Sequence, residues 1–448
     1  MPITQQPYPM IFAASRALEC ASRAGADEVE VYCTTDRSVS IATKLEQIEY
    51  ASESLTRGIG IRAIVAGAVG FASTNDEKTI GHASELAVTS ARASQPDPDW
   101  SSLPTRGAYP AVHGVFDSDI AAIELSRCVE LAVAMIRGVT STGATPTSGG
   151  LAVSTGTSHI RNTNGIEHTE EGTSISAFIE CIVKDGAGIS TAYDFDVSRS
   201  LDIDTFEIGR RAGELAKQSL HGGTIETKKM TVLFSPLAIA DILEYAFTPS
   251  LSADNVQKGR SMLSEVGAEV GADELSITDD GLRRCGIGTA QADDEGTPSQ
   301  KTMILKDGIL EGHLYDAYTA GKADAETDIV STGNAVRSGY GTTPAIGVRN
   351  LVLGYPASDV VAETTSGVLI HSVIGAHTAN QYSGDFSIEA RNSFLVENGA
   401  VTKPIKSLMI AGNIFDLLKK IDGAGTDVRA VGDIVVPTLR VSDVQVVG

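Results

Sequence analysis

From Pro9 to Arg23 the apolar residues recur at helical spacing, and Gly25, just past the end, is placed to stop the helix. The period then changes to two. Glu28-Val29-Glu30-Val31-Tyr32 and Val39-Ser40-Ile41-Ala42 alternate as strands do. Arg57 to Thr74, RGIGIRAIVAGAVGFAST, is β-branched and glycine-rich on both sides of an Ala66-Gly67 break, which predicts strand, turn and strand. Thr74-Asn75-Asp76-Glu77 supplies an N-cap and first-turn acids to a helix reaching about Arg92, and Asp117-Ser118-Asp119 does the same for a helix reaching about Ile136. From Gly150 strands return, punctuated by the hairpin pairs Asn164-Gly165 and Asp185-Gly186, so a meander is expected to about Phe195. A helix over about Thr205 to Leu220 follows.

HGGTIETKK, His221 to Lys229, reads as a hinge. Beyond it Met230 to Phe234 predicts a strand, and Ser235-Pro236 opens a helix through LAIADILEYAF. Strand patterns dominate afterwards, with hairpins at Asp307-Gly308 and Asn398-Gly399 and a short helix after Asn413. The expected class is α+β in two domains. Residues 1–225 form a mixed α/β domain, and residues 226–448 form a β-rich domain of mainly antiparallel sheet.

Composition narrows the function. A chain of 448 residues exceeds one small core, and 42% hydrophobic content with 45 glycines describes a globular protein with many tight turns. Lys and Arg number 35 against 57 Asp and Glu, a formal charge of −22, which repels nucleic-acid phosphates and anionic membrane surfaces. The five cysteines are dispersed with no CxxC or zinc spacing and read as reduced core residues. With neither a basic leader nor a long uncharged apolar run, no membrane association and a cytoplasmic location are expected.

Catalytic templates mostly fail. No GxSxG elbow occurs, Gly321-Lys322 lacks the rest of a P-loop, and the eight histidines form no HExxH or HExxxH pair. Gly58, Gly60 and Ala63 fit a relaxed dinucleotide fingerprint, but a strand follows where a helix must open onto the pyrophosphate. Glu170-Glu171 reads as a solvated acidic face. His371 and His377 lie six positions apart, which puts them about 120° apart on a helix and roughly 20 Å apart on a strand, and neither spacing makes a chelate. The stretch Tyr382-Ser383-Gly384-Asp385-Phe386 has two readings. It lines a cleft in which glycine admits an extended peptide, or it is a tight turn closing the β-rich domain.

Several stretches together resemble the TldD/PmbA family, also called peptidase family U62 or modulator of DNA gyrase. They are RGIGIRAIVAGAVGFAST, NTNGIEHTEEGTSISAFIEC, VLFSPLAIADILEYAF, STGNAVRSG and, most specifically, YSGDFSIEARNSFLVENGAVTKPIKSLMIAGNIFDLLKKI. In that family the TldD branch carries HExxxH, a zinc-peptidase motif, on the first helix of its C-terminal domain, and the TldE (PmbA) branch lacks it. The corresponding helix here, DILEYAFT from Asp241 to Thr248, has no histidine. The resemblance therefore implies a PmbA/TldE-like subunit with no catalytic or metal-ligating residue and no cofactor of its own. Its implied partner is a TldD-like metallopeptidase subunit that carries zinc, in a heterodimer that degrades or trims unfolded peptides. Residues His371, His377, Tyr382, Gly384, Asp385 and Asn413 are the candidate peptide cleft. Two alternatives stand beside this: a stand-alone peptide-binding or chaperone-like homodimer, and a self-sufficient peptidase with a centre around His371, His377 and Asp385.

The charge yields a first prediction, made despite the family's gyrase label. The purified protein leaves a duplex DNA probe unshifted in a gel at low micromolar concentration and physiological salt, and a shift that weakens steeply with added salt would contradict it.

Overall fold

The alternation in the first strand has a simple cause, because its two faces meet different neighbours. Strand β1 (Glu28–Lys44) runs unbroken for 17 residues, joining the two segments expected separately. Its odd-numbered residues Val29, Val31, Cys33, Val39 and Ile41 are buried under helices. Its even-numbered residues Glu30, Tyr32, Thr34 and Asp36 lie on the other face of the pleat. With β2 (Gln47–Val65), β3 (Ala68–Thr74), β4 (Thr145–Asn162), β5 (Glu167–Asp185) and β6 (Gly188–Ser198) it forms an antiparallel sheet in the order β3-β2-β1-β4-β5-β6. The expected turns at Ala66-Gly67, Asn164-Gly165 and Asp185-Gly186 all connect neighbouring strands.

The structure is a computed structural model that describes residues 10–323 and 328–448. Pro9, where the helical pattern begins, lies outside the described residues. Helices α1 (Met10–Arg23) and α2 (Ile80–Ala93) cover one end of the sheet. The helix expected from Asp117 to about Ile136 is instead two: a single turn, α3 (Ser118–Ala121), and then α4 (Leu125–Ser141). Asp117 anchors the single turn, since one carboxylate oxygen caps Asp119 N at 2.8 Å while the other accepts from Leu201 N at 2.9 Å, tying it to the segment ahead of α5 (Thr205–Gln218). Helices α4 and α5 cross at glycines. A Cβ on Gly138 would lie 2.0 Å from the Phe206 carbonyl oxygen, and one on Gly209 would lie 2.0 Å from that of Met135.

The second half opens with β7 (Lys228–Phe234) and helix α6 (Pro236–Ala246). Almost all of α6 is apolar and buried, including Leu237, Ile239, Ile242 and Leu243, so it is a core helix with a single polar stripe of Asp241, Glu244 and Tyr245. The Ser235 hydroxyl, expected to cap α6, donates instead to the carbonyl oxygen of His371. Next come a short helix α7 (Ala253–Gln257), strands β8 (Ser276–Asp280), β9 (Lys301–Lys306) and β10 (Ile309–Leu310), and helix α8 (Ala317–Lys322). Strands β11 (Ala335–Val336), β12 (Ala345–Ile346), β13 (Leu351–Gly354), β14 (Ser366–Ile374), β15 (Asp385–Glu397), β16 (Ala400–Ile405) and β17 (Leu408–Asn413) lead to helix α9 (Ile414–Lys419). The chain ends with β18 (Ile421–Ala424), β19 (Arg429–Val431), β20 (Ile434–Val436) and β21 (Leu439–Val447).

Two mostly antiparallel sheets result, β10-β9-β8-β13-β20-β19 and β14-β7-β21-β17-β15-β16, with a shared core around α6. The fold is α+β. Among the described residues no helix is long and apolar enough to cross a membrane. Cys33, Cys128 and Cys181 are buried as expected, whereas Cys285 is exposed.

A buried chain of charges joins the first sheet to the second half. Arg62 on β2 donates to Glu30 on β1 at 2.8 Å and to Glu295 at 2.7 Å, and Arg337 donates to the other oxygen of Glu30. All four side chains are nearly inaccessible, and the Arg62 guanidinium also faces the Trp100 ring at 5.7 Å. Arg62→Ala leaves Glu30 and Glu295 buried with one cation between them. It is expected to cost about 3–5 kcal/mol in urea denaturation, against under about 1 kcal/mol for Arg23→Ala, which breaks an exposed pair.

Candidate functional site

The even-numbered face of β1 is the floor of a cavity of about 740 Å³, which lies between the first sheet and the second half. That volume is in the range of small-molecule and peptide pockets. Register lines up Thr34, Ser158 and Glu170 in one row across β1, β4 and β5, and Asp36, Gly156 and Gly172 in the next. The glycines keep the floor low. A Cβ on Gly156 would come within 2.5 Å of Asp36 Oδ1, and one on Gly172 within 3.0 Å of Arg199 Nη1. Ser154 and Ser174 continue a carpet of small polar side chains, and Phe195 on β6 adds an aromatic ring.

The roof comes from the polar stripe of α6 and from the turn between β19 and β20, which bring in Asp241, Glu244 and Asp433. Burial pushes the Asp241 carboxyl up to about 6, with the Glu244 charge adding to the effect. Asp433 is likewise pushed up to about 6, by burial first and by Glu244 and Asp279 after it. Partial burial also raises Glu244, the most open of the three. Arg199 and Arg349 complete the lining from the opposite charge class.

Glu170, expected on a solvated face, is half-buried at the cavity wall. It accepts from Gln291 N at 3.0 Å and pairs with His168 Nε2 at 2.8 Å, while its neighbour Glu171 is exposed. Sequence reasoning passed over Asp241, Asp433, Arg199 and Arg349. The one available signal was Asp241 with Glu244 in an otherwise apolar helix.

The residues picked out from sequence lie elsewhere. His371 sits on β14, where burial lowers its pKa to about 4. His377 is exposed in the turn after that strand, edge-on to Tyr245 with ring centroids 6.4 Å apart. Tyr382 is exposed, with the Arg260 guanidinium 5.9 Å from its ring. Gly384 has φ +76° and packs against Ile414 and Phe415, where a Cβ would lie 2.7 Å from each. Asn413 caps α9 through Phe415 N at 3.0 Å and donates to Ser383 O at 2.7 Å and Asp385 Oδ1 at 2.9 Å. The Asn413 amide, with the Ser383 hydroxyl donating at 2.7 Å, holds the Asp385 carboxyl below its ordinary range. The structure thus brings Gly384, Asp385 and Asn413 together in one turn and places none of the six in the lining of the large cavity.

Comparison with known proteins adds identity to geometry. Residues 29–91 match PmbA/TldA metallopeptidase domain 1, residues 118–220 its central domain, and residues 227–448 its C-terminal domain. An uncharacterized protein of Methanocaldococcus jannaschii is 32% identical over 88% of this chain and 90% of its own length. The metalloprotease PmbA homolog of Haemophilus influenzae is 26% identical over 96% and 95%. The crystal structure of TldE from Thermococcus kodakarensis superimposes with a TM-score of 0.88 at 25% identity, covering 97% of this chain and all of that one. The chain belongs to the TldD/PmbA family.

TldD-branch zinc chemistry, as the resemblance describes it, needs imidazoles on α6. The residues on that helix do not fit it: its polar stripe is Asp241, Glu244 and Tyr245, and no histidine occurs between Pro236 and Ala246. Among the described residues no group of three His, Cys, Asp or Glu side chains is placed to hold a metal ion.

Raised carboxyl pKa values have a thermodynamic signature. The unfolded chain releases the Asp241 proton near its ordinary 3.8 and the folded chain near 6, so between these values the folded state binds more protons. Stability contributed by this group is full below about pH 4, falls as pH rises to about 6, and stays lost above. Asp241→Asn should match the parent at about pH 4 and exceed it by about 1–3 kcal/mol at about pH 7.5, as read from urea midpoints across that range. A constant difference across that range would contradict the assignment.

Proposed function

We propose that this chain is the TldE-like subunit of a TldD/TldE-type peptidase. In this reading a TldD-like partner brings the zinc, and this subunit shapes the peptide channel in which unfolded peptides are degraded or trimmed. The observation that carries it is the helix α6, which directs two carboxylates and no imidazole at the cavity above the first sheet. The PmbA and TldE names of similar proteins support the same branch. A subunit that only holds an extended peptide in register contributes to rate, because orientation removes entropy from the chemical step, and effects of several kcal/mol are ordinary.

Mixing a purified TldD-like partner with and without this chain, and following cleavage of an unfolded peptide, tests the proposal. Cleavage is expected to rise at least about tenfold when the chain is added. The chain purified alone is expected to carry no stoichiometric zinc after mild chelation. An unchanged rate would favour the stand-alone peptide-binding homodimer. Turnover by the pure chain that falls sharply in His371→Ala would favour the self-sufficient peptidase.

A further inference from the structure

Two arginines in the cavity have no carboxylate partner. Arg349 is only 8% exposed, yet its Nε has no hydrogen-bond partner, and Nη2 reaches the Ala292 carbonyl oxygen at a long 3.4 Å. Arg199 is held by carbonyl oxygens alone, those of Gly286 at 3.2 Å, Thr173 at 3.3 Å, Thr289 at 3.4 Å and Ile287. These contacts fix its plane, and its charge is offset only through space by Glu170, without a hydrogen-bonded ion pair. Among the described residues neither guanidinium belongs to an ion pair. Burial and the neighbouring Arg349 charge lower the Arg199 pKa, so the two cations lie within electrostatic reach of one another.

Nearby carboxylates feel the arginine charges, Arg349 acting on Asp279 and Asp293 and Glu170 acting on Arg199, but their hydrogen bonds go elsewhere. Glu170 accepts from Gln291 N and pairs with His168. Asp279 accepts from Arg349 N at 2.8 Å, Asn350 N at 3.0 Å and Asn334 Nδ2 at 2.6 Å. Asp293 accepts from the backbone of Glu295, Thr297 and Ala335. A buried, half-satisfied arginine fork is expensive unless an anion meets it.

We propose that the cavity receives the free C-terminal carboxylate of a short peptide, held by Arg199 and Arg349 above the Gly156 and Gly172 floor. The inference rests on the peptide-shaping reading above and names the end of the substrate that this subunit grips. Three features select a peptide over a phosphate. The carboxylates of Asp241, Glu244 and Asp433 share the cavity and disfavour a dianion while attracting an ammonium group. The roof acids come from α6 and the β19–β20 turn, whereas Arg199 follows β6 and Arg349 precedes β13, so the cavity presents both charges to a zwitterion. The low glycine floor and the hydroxyls of Thr34, Ser154, Ser158 and Ser174 leave room and hydrogen bonds for a peptide backbone.

Calorimetric titration of the full chain tests this with three probes: tetra-alanine with a free carboxylate, the same peptide as its C-terminal amide, and inorganic phosphate. The free acid should bind at least about tenfold tighter than the amide, the margin a charge-assisted fork provides, and phosphate should not displace it. Arg349→Gln should reduce the acid to the affinity of the amide. If that variant fails to fold, Ser158→Trp, which fills the cavity from its floor, should abolish binding of the acid. Equal affinity for acid and amide, absence of binding, preference for phosphate, or an unaltered affinity in a folded variant would each overturn the inference. No partner is present in the titration, so any of these outcomes leaves the subunit reading to the mixing experiment.

Discussion

The most deeply buried charged junction between the two halves is centred on Glu30. Its two oxygens are divided between Arg62 from the neighbouring strand and Arg337 from a segment 307 positions away, and Arg62 extends the chain to Glu295. Two acids and two bases balance formally, which permits burial of all four, and the rigid arginine fork suits shared contacts better than a lysine would. Tyr32, next along the strand, donates to Asp294 at 3.0 Å and extends the same seam. The cavity lies beside this seam on the same face of the sheet. Its floor and roof come from opposite sides of the join, so the charged chain sets their separation.

Local turn chemistry made much of the fold legible. Asn164-Gly165, Asp185-Gly186, Asp307-Gly308 and Asn398-Gly399 each sit where the chain reverses, because residues that tolerate positive φ act within a few bonds of themselves. The split of the expected helix after Ala121 was not legible, and the anchoring of its first turn involves Leu201, 84 positions from Asp117. Four of the six residues expected in a cleft, Tyr382, Gly384, Asp385 and Asn413, lie in the stretch with the most specific family resemblance. In the structure the tightest of them, Gly384, Asp385 and Asn413, satisfy one another's hydrogen bonds and the start of α9. The cavity escaped notice for the opposite reason, since its floor reads as an unremarkable run of Ser, Thr and Gly, and its arginines lie 150 positions apart in the chain.

Helix α6 shows how one scaffold carries different chemistry. Its apolar positions are fixed by the core they fill, and Tyr245 packs at the core's edge, whereas Asp241 and Glu244 face the cavity. Carboxylates held there against burial weaken the folded state, which is the usual direction of compromise when a site rather than a core selects a residue.

The glycine crossing of α4 and α5 has a mechanical consequence for the cavity on the far side of the sheet. Gly138 and Gly209 let the two helix backbones touch, and the same helices bear on β4 and β5, whose opposite face is the cavity floor. The crossing acts as a shim whose thickness is one missing methyl group. Thickening it lifts a helix away from strands that have no slack, and in close-packed protein such a displacement travels rather than dissipates. The height of the cavity is therefore set partly at a point that no ligand reaches, and surface-side variation in those helices can tune recognition without altering a single residue that a peptide would contact.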